Sequence, residues 1–250
     1  MQKPDLRIIP APDVPHRPAR GYGHGMTDWQ TRLRQLPVEE WAMLLDASSG
    51  LPGPRANTAL AAAFAVVADE SALLVLGTRD DEFTAMCVAT AYGARADEAE
   101  YAAAALHAAS DGRWRVREGV AIGLQLLGDR DFARLTEIVT AWAESDDPLV
   151  QRAAVAAICE PRLLHSPASA AVAVGVCGRA TELLARRPLT ERREADLRTL
   201  RQALGYGWSV AIAADPAPGL AAFLALDPSD VDVAWIIAEN RKKKRLSVLL

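Results

Sequence analysis

The residues of this chain best placed to do chemistry lie in SDGRWRVREGVA, Ser110 to Ala121. Trp114 and Glu118 are four positions apart, the spacing that puts two side chains on one face of a helix. Arg113, Arg115 and Arg117 alternate between them, and guanidinium groups are natural partners for phosphate. An indole and a carboxylate ringed by cations suit a DNA-reading surface with catalytic capacity. The same pattern is also the way one helical repeat begins, with Arg117 and Arg152 pairing to the aspartates of neighbouring turns.

The elements that carry these residues repeat. Aligning SDGRWRVREGVA with SDDPLVQRAAVA brings Ser110 onto Ser145, Asp111 onto Asp146, Arg117 onto Arg152 and Val120 onto Val155, each 35 residues on. Self-similarity at such a period is the mark of a solenoid. Between the two segments, Phe132, Leu135, Ile138, Val139 and Trp142 recur at three- and four-residue intervals, an amphipathic helix that must bury its stripe. One repeat is therefore a helix pair. Second helices are expected near 54–67, 81–92, 113–127, 148–160, 192–213 and 229–240. The fold class is all-α: an α-α superhelix of five to six antiparallel helix pairs. In such a stack the early residues of the second helices line a concave face, which nominates Arg55, Arg117, Arg152 and Trp235.

Composition agrees with that class. The 250 residues are 50% hydrophobic and 24% charged, with an aromatic fraction of only 6%, and the alanine that dominates many segments favours closely approaching helices over strands. Residues 1–25 hold five prolines and three glycines and read as a flexible arm, leaving 26–250 as a single helical repeat domain. Thr27 or Asp28 is the expected first N-cap.

The net charge of −4 argues against indiscriminate binding to phosphate backbones. Residues 1–110 carry nine basic and fourteen acidic groups against nineteen and eighteen in residues 111–250, so any anion-binding surface belongs to the second half. Cys87, Cys159 and Cys177 are odd in number and far apart, with no histidine at ligand spacing, which suggests neither a disulfide framework nor a metal site. No cofactor motif is present. The lack of a long uninterrupted apolar run and of a secretory leader leads to the expectation of a cytoplasmic protein with no membrane partner.

Two further clusters stand out. LGYGWSVAIAADPAPG, Leu204 to Gly219, sets Tyr206 and Trp208 beside glycines, so that the aromatics either line a pocket or fill the seam between repeats. NRKKKRL follows the last long helix and gathers Arg241, Lys242, Lys243, Lys244 and Arg245, a solvated helix end or a patch for nucleic acid or an acidic partner. The four histidines, His16, His24, His107 and His165, lie in unrelated contexts.

The D-P-x-V-x-R-A-A pattern at Asp147 to Ala154 resembles the start of the second helix of a HEAT repeat. Together WRVREGVA, QRAAVAAICEPRLL and LDPSDVDVAWIIAENRKKKRL resemble bacterial HEAT-repeat proteins of the DNA alkylation repeat family, over roughly residues 95–250. That resemblance implies removal of cationic alkylated purines from DNA, with Trp114 contacting the damaged base, Glu118 as the carboxylate that stabilises positive charge on the sugar, and Arg117, Arg152 and Arg162 holding phosphates. Two functions are thus expected. One is a non-catalytic binding scaffold that engages a protein partner through Trp114, Arg117, Arg152, Arg162, Trp208 and Trp235. The alternative is a DNA-lesion-binding protein or N-glycosylase that uses nucleic acid contacts in the second half of the chain.

Overall fold

The computed structural model describes residues 23–250. Most of the proline- and glycine-rich arm expected at 1–25 lies outside them. Among the described residues all regular structure is helical, in fourteen α-helices and two single-turn 3-10 helices, Pro161–Leu163 and Glu191–Arg193. The first are α1 (Gly23–Gln35), α2 (Val38–Ser48), α3 (Thr58–Val67), α4 (Glu70–Leu76) and α5 (Glu82–Ala94). Then come α6 (Ala99–Ala108), α7 (Trp114–Arg130), α8 (Phe132–Ala143), α9 (Pro148–Ile158) and α10 (Pro167–Arg186). The chain ends with α11 (Ala195–Ala214), α12 (Pro216–Leu224), α13 (Val231–Arg241) and α14 (Lys244–Ser247).

The six expected second helices correspond to α3, α5, α7, α9, α11 and α13, and each packs against the next. Local chemistry sets where they start. Asn57, Asp81, Asp147 and Asp230 each accept a main-chain N–H of the first turn and so cap α3, α5, α9 and α13. The loop 49–57 delays α3 relative to expectation, because it holds Pro52, Gly53, Pro54 and a Gly50 at φ +77°, a conformation only glycine adopts freely. At the other end, α1 begins at Gly23, so Thr27 and Asp28 lie inside a helix rather than capping it. The interrupted stretch 69–78 is a first helix of only seven residues, α4, capped by Asp69.

Small residues do what their abundance suggested. A Cβ added at Gly123 of α7 would stand 2.2 Å from Thr90 O and 2.8 Å from the Cα of Gly93 on α5. The α5 and α7 backbones therefore touch, and both helices contribute to each of two apolar clusters that fill the molecule. Of the α8 stripe, Leu135, Ile138, Val139 and Trp142 are buried as their spacing required, and Phe132 at the first position is half-buried against the same cluster.

By length and composition α10 is apolar enough to cross a membrane. In this fold it packs against α8, α9, α11 and α12, burying Ala170, Ala173, Val176, Cys177, Ala180 and Leu184.

Candidate functional site

The turn before α7 positions the opening cluster. Asp111 accepts the Arg113 main-chain N–H at 2.8 Å and binds its guanidinium at 2.8 Å, while Arg113 also reaches Asp80 at 3.3 Å. Trp114 is then the first residue of α7 and keeps 48% of its surface exposed. The Arg115 guanidinium lies 4.5 Å from its ring centroid and is itself held by Glu82 at 2.9 Å and Gly53 O at 3.3 Å. Arg117 turns back to the carbonyls of Asp111 and Gly112. Among the described residues it does not pair with an aspartate side chain, so that expectation is corrected: the main chain of the turn is its partner.

Glu118 stands one turn along from Trp114, half-buried. Among the described residues it has neither a hydrogen bond nor an ion pair. Burial pushes its carboxyl above the ordinary glutamate value, and the positive charges of Arg152 and Arg115 oppose that push only in part.

Arg152 comes from the next second helix. It projects from α9 and donates from Nη1 to Arg117 O at 3.1 Å. That is its one hydrogen bond among the described residues, although a guanidinium offers five N–H donors. Burial lowers its pKa, Glu118 acts in the opposite sense and Arg117 adds to the lowering. Glu118 and Arg152 therefore lie in each other's field without direct contact, and each retains bonding capacity that the protein does not fill.

The other nominated residues divide. Arg162 binds Asp129 at 3.0 Å and sits 3.4 Å from Glu160, with further contacts besides. Trp208 does not belong to any binding face: it is 1% exposed, donates from Nε1 to Thr181 Oγ1 at 3.0 Å and packs on Phe223. Its neighbours Gly205 and Gly207 let α13 and α9 approach α11, which draws the indole into the seam between helices. Trp235 is half-buried beneath the Arg201 guanidinium, 4.7 Å from its ring. Arg55 lies in the loop ahead of α3 and so is not on a second helix.

The basic tail is only partly a solvated end. Arg245 donates to Tyr206 Oη at 2.9 Å and covers its ring at 5.0 Å, with Lys243 at 6.0 Å. Lys242 pairs with Glu239, while Arg241 and Lys244 are exposed. His107 is exposed on α6, and His165 contacts Arg162 O at 3.2 Å. Cys159 and Cys177, distant in sequence, meet with their sulfurs 3.5 Å apart. Their mutual hydrogen bond and burial raise the Cys177 thiol well above its ordinary value.

A second periodicity, in charge, emerges only from the packing. Arg79 binds Asp46, Arg113 binds Asp80, Arg115 binds Glu82, Arg130 binds Asp97 and Arg162 binds Asp129, and each arginine follows its acid by 33 residues. The signal is present in the sequence as a fixed offset between opposite charges. Comparison with family models, curated proteins and solved structures finds no match for this chain.

Proposed function

We propose that the six successive second helices form a right-handed HEAT-like superhelix of five to six pairs, and that its inner face binds DNA at a cationic alkylated purine and releases that base by hydrolysis. The observation that carries this reading is Glu118: a half-buried carboxylate with no protein partner among the described residues, one turn from an exposed indole and within the field of an undersatisfied arginine. A carboxylate kept half-buried and unpartnered costs stability, as expected of a group reserved for a ligand.

The chemistry follows from the charges. A cationic base is attracted to the free face of Trp114, and Arg152 offers its remaining donors to a phosphate oxygen. As the bond from sugar C1′ to purine nitrogen breaks, its electron pair leaves with the base, which departs neutral, and positive charge develops on the sugar. Ionised Glu118 stabilises that charge, then takes a proton from the water whose oxygen bonds to C1′. Base release therefore needs the ionised carboxylate, and its rate falls as pH drops through the raised Glu118 value.

The test uses duplex DNA carrying a cationic alkylpurine, across a salt series, with wild type and Glu118→Gln. Salt-sensitive binding with base release abolished by the substitution supports the reading. Absence of both at low salt overturns it.

A second reading is favoured by the arginines. Arg115, Arg117 and Arg162 are held by partners within the chain, which leaves few cations for a phosphate track. On this reading the protein is a non-catalytic scaffold, and the same face, with Trp114 at its centre, docks a protein partner.

A further inference from the structure

Arg152 borders a pocket of about 300 Å³ between α7, α9 and α11. Its walls are largely small and apolar: Val155, Ala156, Cys159, Pro161, Ala203 and Gly207. Tyr206 also lines it, its hydroxyl accepting from Arg245, and the remaining polar groups are few and of distinct kinds. Arg152 brings a half-buried cation with unused donors. Gln125 gives its amide N–H to Ala156 O at 3.0 Å, which leaves its carbonyl oxygen to accept. Glu160 Oε1 is buried without a hydrogen bond, since Arg162 Nη1 at 3.4 Å forms an ion pair lacking hydrogen-bond alignment. A buried acceptor left without a donor is costly, and a donor on a ligand would remove that cost.

We propose that this pocket binds a purine nucleoside monophosphate bearing an exocyclic amine, with the phosphate on Arg152 and the amine directed to Glu160 and Gln125. Three observations fit that occupant. The volume lies at the small end of ligand sites, which run from roughly 300 to 1,000 Å³. Arg152 lies within α9 and Glu160 two residues past its last residue, Ile158, so the cation and the acceptor are set apart along the chain that lines the pocket, as phosphate and amine are in such a ligand. Thin apolar walls between them suit a flat ring. The inference is independent of the DNA reading except that Arg152 takes part in both.

The experiment is calorimetric titration of the full chain with adenosine monophosphate, inosine monophosphate and adenosine. Adenosine monophosphate is expected to bind saturably. Inosine monophosphate, which presents a carbonyl to two acceptors, should bind at least tenfold more weakly, and adenosine should lose the Arg152 contribution. Ala203→Leu fills the pocket and should weaken adenosine monophosphate at least tenfold while leaving DNA base release unchanged; Ala156→Leu repeats the test from α9. Glu118→Gln and Trp114→Ala should leave nucleotide binding intact, so failure of the DNA reading and failure of this one are separable. No saturable binding up to ~1 mM, equal binding of the two nucleotides, or indifference to both leucine variants would overturn the proposal.

Discussion

Arg152 hydrogen-bonds the main-chain carbonyl of Arg117, the residue it matches 35 positions earlier, at 3.1 Å. Two positions that match in the sequence alignment, one on α7 and one on α9, are thereby linked by a bond from side chain to backbone. The geometry fixes one edge of the guanidinium and leaves the remainder facing the field of Glu118. Arg152→Ala should accordingly raise the Glu118 carboxyl further, since the largest opposing charge is gone. Carboxyl carbon chemical shifts followed through a pH titration check this. An unchanged Glu118 titration would mean that solvent already screens the pair.

Glu118→Gln should make the protein more stable at neutral pH. A carboxyl whose folded-state pKa is raised binds more protons folded than unfolded, so its contribution is fully present below the unfolded value of about 4.3 and is lost as pH rises through the folded value. Glutamine escapes that loss. Melting temperatures measured from about pH 4 to 8 should show the variant above wild type at neutral pH and converging with it in acid; a less stable variant at pH 7 would show that the carboxylate makes a stabilising contact.

Trp208→Ala should cost about 3–5 kcal/mol in denaturant unfolding, since it empties a fully buried indole site beside Phe223. Thr181→Val keeps the shape but leaves Trp208 Nε1 without its acceptor, for about 1–3 kcal/mol. A neutral result for both would contradict the placement of Trp208 in the seam.

Arg241 and Lys244 are exposed, with no acid partner among the described residues. If DNA crosses the α11 and α13 ends, replacing both with glutamine should lower the slope of log affinity against log salt by about 2, near 0.9 for each phosphate no longer neutralised. Filter binding at four salt concentrations would measure it. An unaltered slope would remove the tail from the interface.

The positions of α3, α5, α9 and α13 are legible in the sequence because two signals coincide there, apolar spacing of three and four and an aspartate or asparagine at the cap, as at Asp147 and Asp81, whereas α7 and α11 carry no side-chain cap and are legible from spacing alone. The pairing of Trp114 with Glu118 is legible for the same reason, being a matter of helical period alone. The partners of Arg117 and Arg152 are not, because both bind carbonyl oxygens, which every residue carries and no side chain advertises. Trp208 is ambiguous for a related reason: Gly205 and Gly207 announce a close approach without naming the helix that arrives. The pocket joins Gln125, Glu160 and Tyr206 from three separate stretches of chain, a convergence that only packing creates.

The acid-to-arginine offset of 33 residues also bears on how such a chain can grow. Each pair joins one unit only to the unit before it, so a duplicated segment of that length would offer its own acid to the following arginine and meet the preceding acid with its own. Length could then change by copying, with each bridging pair exchanged for two of the same kind.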